Sequence, residues 1–157
     1  MTKNKKKKGV ITVIKIQIRE ARIQDANFIH RLNCREMGYA YPLEKTIEKL
    51  EKILGSPHDK VYVAEFQDSV VGYVHANDYD LLYAPSMKNI MGIAVSSDFK
   101  RQGAGTALLK AVEEWAKKSG ASGIRLVSGA DRTGAHEFYR QFGFGKGKPQ
   151  LNFKKIF

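Results

Sequence analysis

The chain has 157 residues, 43% hydrophobic and 27% charged, with a formal charge of +11. That length suits one domain around one core, and no apolar run approaches the roughly 18 residues of a membrane span. A single cysteine, Cys34, excludes an internal disulfide framework; its absence of partners suits a reducing cytoplasm, and no secretory leader is expected.

Lys3, Lys5, Lys6, Lys7 and Lys8 supply five of the charges, with no acid between Met1 and Gly9. Residues 1–9 read as a solvated, disordered tail, and contact with nucleic acid is the less favoured reading. The +6 left on residues 10–157, read as a single domain, fits an anionic ligand without naming one.

Val10 to Arg19 alternates apolar and polar residues and predicts a first strand. Asp25 is placed to cap a helix running to about Met37. Gly38 to Pro42 breaks it, and Leu43 to Leu54 predicts a second helix. Lys60 to Phe66 and Val70 to His75 predict a hairpin. Asn77 to Ser86 reads as loop or strand extension, and Lys88 to Val95 as the next strand. Gln102 to Ser119 predicts the main helix, with Leu108, Val112 and Trp115 on one face and Glu113–Lys117 and Glu114–Lys118 pairs on the other. A buried strand over Gly123 to Val127 and a helix over Thr133 to Gln141 follow. Phe144 and Leu151 to Phe157 predict a closing hairpin. The order is β-α-α-β-β-β-α-β-α-β-β, a mixed α/β sheet flanked by helices. A dinucleotide-binding domain would alternate strand and helix throughout.

One stretch carries chemistry. The apolar run ending at Val95 leads into Lys100-Arg101-Gln102-Gly103-Ala104-Gly105-Thr106, which opens the main helix. A strand, a glycine-containing turn and a helix N-terminus together cradle anions. A nucleotide triphosphate site is not expected, because Gly-x-x-x-x-Gly-Lys-Ser/Thr is absent.

With that turn and a second motif the chain resembles the GNAT family of N-acetyltransferases. The family's turn is Gln/Arg-x-x-Gly-x-Gly/Ala, and Lys100 stands where it prefers Arg or Gln. About 30 residues on come Ser128, Arg132, Ala135-His136-x-Phe138-Tyr139-x-x-x-Gly143-Phe144, and later Phe153-Lys154-Lys155. These are similar to a branch containing aminoglycoside and aminoalkylphosphonate acetyltransferases. The resemblance implies a mixed, mostly antiparallel sheet and acetyl-CoA as co-substrate. It implies pantetheine beside Ile93, Ala94 and Val95, and pyrophosphate on the N–H groups of Gln102, Gly103, Ala104, Gly105 and Thr106. Lys100 and Arg101 would offset phosphate charge, and Arg132 is a further candidate for phosphate contact.

Direct acyl transfer to an amine needs a base, an oxyanion donor and an acid. The resemblance makes Tyr139 the acid and an N–H of Ala94 or Val95 the oxyanion donor. Many members carry a Glu as base on the pantetheine strand. Here the corresponding positions are Met91 and Gly92, which take no proton. His75, Asp78 and Asp80 are the nearest titratable residues, with His75 the named candidate base. His136 is expected to orient its surroundings.

No metal-ligand spacing is present, and no metal is expected. The reading is an N-acetyltransferase acting on the primary amine of a small molecule in a ternary complex. Tyr39, Tyr41, Asp78, Tyr79, Asp80 and Tyr83 suit a cationic amine. The alternatives are a protein or peptide acceptor and a non-catalytic CoA-binding module. The chain is compatible with a homodimer, and neither membrane nor nucleic acid is an expected partner.

Overall fold

Two alternating apolar segments joined by a tight turn build the centre of the sheet. In the computed structural model, which describes residues 15–157, these are β2 (Asp59–Phe66) and β3 (Ser69–Leu81). With β1 (Gln17–Glu20), β4 (Ala84–Val95) and β5 (Ile124–Leu126) they form a five-stranded sheet in the order β1-β2-β3-β4-β5. The first four strands pair antiparallel in turn, and β5 joins β4 in parallel. A parallel pair needs a crossover, and α3 (Ala104–Lys118) provides it. Helices α1 (Ala26–Glu36) and α2 (Leu43–Leu54) link β1 to β2, and α4 (Thr133–Phe142) follows β5.

Strand alternation divides the apolar side chains between two layers. Val61, Val63, Tyr73 and Ala94 meet Ile29 and Leu32 of α1 and Leu50 of α2. Val74, Ala76 and Ile90 meet Leu108, Leu109 and Val112 of α3 on the other face. The mixed sheet and its helices follow the predicted order as far as α4.

The structure corrects several expectations. Of the first predicted strand, residues 10–14 lie outside the described residues, and β1 begins at Gln17. The predicted tail at 1–9 lies outside them too. β5 is half-buried rather than buried. The closing hairpin does not form: residues 143–157 contain no strand, and every side chain from Leu151 to Phe157 is exposed. Gly145, Gly147 and Pro149 favour irregular backbone there, and the segment pairs with no strand among the described residues.

Asp25 precedes α1 as predicted, but its side chain does not cap the helix. Its carboxylate is buried at 4% exposure and takes a forked pair from the Arg19 guanidinium at 2.8 and 2.9 Å. The Arg22 N–H adds a bond at 2.7 Å. Arg19 also reaches Glu65 of β2, so one guanidinium ties β1, β2 and the entry to α1. Burial pushes the Asp25 carboxyl up, but the Arg19 and Arg22 hydrogen bonds outweigh it and hold it below 3.8.

Arg19→Met should therefore leave an unpaired buried carboxylate and cost about 3 kcal/mol in urea unfolding. Because the folded pKa of Asp25 is depressed, the wild-type contribution is present above the ordinary carboxylate range and lost as pH falls through the lower folded value. A wild type and variant that stay equally stable at neutral pH would contradict this role.

Candidate functional site

The site begins where β4 leaves β5. Their pairing runs only from Lys88 opposite Ile124 to Ile90 opposite Leu126. At that point β4 carries a bulge against β3: His75 lies opposite Gly92, yet Ala76 lies opposite Ile90. Met91 is the extra residue and is 56% exposed. A bulge bends its strand and can end pairing. Beyond it, residues 92–95 keep β3 on one side and, among the described residues, have no strand on the other.

Antiparallel pairing fixes which backbone groups face that free edge. Ser96 N–H donates to Val71 C=O at 2.7 Å, so the alternation turns Ala94 N–H toward β3 as well. Ile93 and Val95 then point their N–H groups outward. Of the two oxyanion candidates, Val95 has the available donor. Past the end of β5, Ser128 Oγ is buried without a hydrogen-bond partner among the described residues. A free strand edge fits an extended polar arm such as pantetheine.

The predicted anion turn lies at the end of this edge. Gly103 precedes α3 at φ +84, and Arg101 also holds a left-handed φ of +63. Gly103 relieves backbone strain at its position, whereas Arg101 tolerates it. The helix begins later than expected, at Ala104, and its first backbone bond is Ala107 N–H to Gly103 C=O at 2.9 Å. No side chain caps the helix. The N–H groups of Ala104, Gly105 and Thr106 therefore lead the helix dipole. Lys100 and Arg101 are exposed on the turn, as is Gln102, whose side-chain amide bonds Asp98 C=O at 3.4 Å. Glu36 anchors the turn to α1 by accepting from Ser97 N–H at 3.0 Å, with Lys100 Nζ 3.9 Å away.

Gly105 has a different reason. A Cβ there would stand 3.1 Å from Phe138 Cζ. The second glycine of the motif thus lets α3 pack closely on α4.

Phe138 adjoins Tyr139, whose ring is 5.5 Å from it and 5.7 Å from Phe144. Tyr139 is 9% exposed. Burial raises its pKa above 10, against an opposing effect of nearby Arg132. Its hydroxyl makes no hydrogen bond among the described residues. Arg132 precedes α4 and is exposed, beside Tyr139 as well as the loop. His136 Nε2–H donates to that loop's Gly129 C=O at 2.9 Å, so the ring holds the loop.

On β3, Tyr73 faces α1 while Val74 and Ala76 face α3. Alternation puts His75 on the α1 face, opposite Gly92. His75 Nε2 donates to Asp59 Oδ1 at 2.7 Å, and Ser56 Oγ donates to Asp59 Oδ2 at 2.6 Å. Burial raises the Asp59 pKa, but the Ser56 and His75 bonds outweigh it and keep the carboxylate ionised below 3.8. An ionised Asp59 fixes the His75 proton on Nε2 and leaves Nδ1 as an acceptor. The sequence did not point to Asp59 or Ser56.

Asp78 and Asp80 do not share this position. Asp78 is engaged by Lys88 on one oxygen and by His58 Nδ1 at 2.9 Å on the other. Lys88 lies over the Trp115 ring at 4.0 Å, on the α3 face. Asp80 falls on the same side by alternation. The expectation that both could serve as base is therefore corrected. Gly92 adjoins the bulge, and a Cβ there would find only Tyr73 Oη at 3.8 Å and Met37 Cε at 3.9 Å. Tyr73 donates to Asn33 Oδ1 at 2.5 Å, and burial pushes its pKa up to about 12. Tyr39 and Tyr41 are exposed between α1 and α2, whereas Tyr83 is at the β3–β4 tip. Among the described residues, no group of three His, Cys, Asp or Glu could hold a metal ion, and no helix is long and apolar enough to cross a membrane.

This geometry coincides with a family match. Residues 26–144 match the Acetyltransferase (GNAT) family, and the chain belongs to it. An uncharacterized N-acetyltransferase of Methanocaldococcus jannaschii is 35% identical over 88 residues, spanning 55% of this chain and 39% of that protein. The fold resembles an aminoglycoside N-acetyltransferase, AAC(6')-Iy, in complex with CoA, at TM-score 0.83 and 18% identity over 93% of this chain and 98% of that one. It also resembles a transcriptional regulator from Bacillus halodurans, at TM-score 0.80 and 22% identity over 90% of this chain and 100% of that one.

Gly105→Leu should force Phe138 aside and cost about 1–3 kcal/mol by overpacking. Thermal unfolding beside Gly105→Ala, expected to be milder, checks it. Equal stability of Gly105→Leu and wild type would refute the close-packing role.

Proposed function

We propose that the protein is an acetyl-CoA-dependent N-acetyltransferase that acetylates the primary amine of a small molecule. The observation that carries the reading is the free edge of β4. It leads from a His–Asp pair at one end to an uncapped helix N-terminus at the other, with Tyr139 as the candidate acid on α4. The family match supports acetyl transfer.

Acetyl-CoA would supply a thioester whose carbonyl carbon accepts the amine. Ile93, Ala94 and Val95 would align pantetheine by strand addition. The N–H groups of Gln102 to Thr106 would hold pyrophosphate, with Lys100, Arg101 and Arg132 near the phosphates. His75, held at Nε2 by Asp59, would take a proton from the incoming ammonium at Nδ1, directly or through one water. Only the neutral amine has the lone pair that forms the new carbon–nitrogen bond. Val95 N–H would donate to the carbonyl oxygen as charge develops there. As the carbon–sulfur bond breaks, Tyr139 would donate its hydroxyl proton to the departing sulfur, and the second proton that the acylated nitrogen sheds would reprotonate the Tyr139 phenolate through solvent. The raised Tyr139 pKa keeps that proton in place through neutral and mildly alkaline pH.

Thiol release measured across a panel of primary amines tests the reading. Turnover is expected on at least one small amine, and acetyl-CoA binding without turnover on any would favour the non-catalytic alternative. His75→Gln and Tyr139→Phe should each lower kcat about 100-fold. In wild type the rate should fall as pH rises through the Tyr139 pKa, and Tyr139→Phe should lose that alkaline limb. An unchanged limb would remove Tyr139 from the acid role.

A further inference from the structure

Past His75, the α1 face of the sheet carries a fixed cation. Helices α1 and α2 cover Val61, Val63, Tyr73 and Ala94 on this face. Farther along it stand Asn77, Tyr79, Asn89 and Arg125, none of them fully buried. Register and alternation place them together. Asn77 lies opposite Asn89, and Asn89 pairs with Arg125, whereas Asp78, Lys88 and Ile90 turn toward α3.

Arg125 reaches back across β4. Its Nη1 donates to Asn89 Oδ1 at 2.5 Å, and its Cζ lies 4.2 Å from the centre of the Tyr79 ring. The Asn89 amide nitrogen turns the other way, 3.0 Å from Met91 Sδ and 3.4 Å from Asn77 Oδ1. One amide and one ring therefore hold the guanidinium, and that amide also touches the bulge residue where β4 leaves β5. A stacked guanidinium with one corner fixed is ordered before a ligand arrives. Among the described residues no carboxylate forms an ion pair with it. Its Nε and Nη2 N–H groups also have no partner among them. These two donors are adjacent and parallel, and they match the two oxygens of a carboxylate.

We propose that Arg125 binds a carboxylate on the amine substrate, so that the acceptor is a short amino acid. The inference rests on the acetyl-transfer function proposed above and names its substrate class. The spacing suits it. Asn77 stands one same-face step from His75 along β3, about 7 Å, and the guanidinium adjoins the Asn77–Asn89 row. A hydrogen bond of about 3 Å at each end of the substrate leaves a gap that a short carbon chain spans. The amine would then meet His75 while the carboxylate meets Arg125. Tyr79 serves as the platform of the arginine, since its ring already carries that cation on one face.

Initial rates on β-alanine and 4-aminobutyrate, each against its carboxamide, test this. The acid should exceed its amide about 10- to 100-fold in kcat/KM, the worth of hydrogen bonds to a charged group, and mainly through KM. Arg125→Met should raise KM for the acids by a similar factor and abolish the preference, with Arg125→Lys recovering part of it. In wild type, butyrate should compete with 4-aminobutyrate while butyramide should not, a comparison that needs no variant. Ligand-observed NMR of 4-aminobutyrate with CoA present reads binding without turnover. Equal rates on acid and amide would overturn the proposal, as would butyrate that fails to compete. So would acid binding that survives in folded Arg125→Met. Turnover confined to neutral amines would remove the carboxylate assignment and leave acetyl transfer standing. Acid binding that depends on Arg125, without turnover of any amine, would support the assignment and sink acetyl transfer alone.

Discussion

The end of pairing between β4 and β5 at Ile90 is the constraint on which the site depends. A strand bonded on both sides has no spare backbone groups to offer. The Met91 bulge bends β4 at the position where β5 stops, and the next four residues keep one unpaired edge. That edge leads to the turn before α3. Alternation then selects Ile93 and Val95 as outward donors. The same bulge brings Gly92 opposite His75, so strand edge, turn and candidate base take their relative positions from one irregularity.

The two glycines of the turn illustrate how a motif combines separate physical requirements. Gly103 answers a backbone need, a left-handed φ at the start of a helix whose N–H groups must remain free. Gly105 answers a packing need, the approach of Phe138. Both constraints act on neighbouring elements, since the first shapes the turn before α3 and the second seats the helix bearing Tyr139. The network from Arg19 to Asp25 and Glu65 acts farther away. It fixes β1 and the start of α1, and α1 in turn carries Glu36 to the turn and Asn33 to Tyr73.

Much of this was legible in local pattern. Strand alternation gave β2, β3 and β4, and the charged and apolar faces of α3 gave the crossover. The turn from Lys100 to Thr106 and the helix bearing Tyr139 declared themselves by residue type at fixed spacing. Asp59 did not. A tight turn at Gln67 and Asp68 pairs Phe66 with Ser69 and Glu65 with Val70. Continued without interruption, that register would set Lys60 opposite His75 and turn Asp59 to the other face. The bulge that pairs Ala64 with Gly72 shifts the register by one residue, sets Val61 opposite His75 and returns Asp59 to its side. Nothing in the spacing of Asp59 and His75 announces such a shift.

The carboxylates near the site show a related gap between composition and structure. Composition counts carboxylates near the site but not their partners. Asp78 is occupied by Lys88 and His58, Asp59 by His75 and Ser56, and Glu36 by Ser97 and Lys100. A carboxylate already engaged by a cation or donor contributes little extra attraction to a second cation, because its charge is largely compensated at close range. Tyr39 and Tyr41, exposed between α1 and α2, present aromatic surface instead. Recognition of the amine by this face would therefore rest on ring contact and on deprotonation at His75 more than on a field of free negative charge.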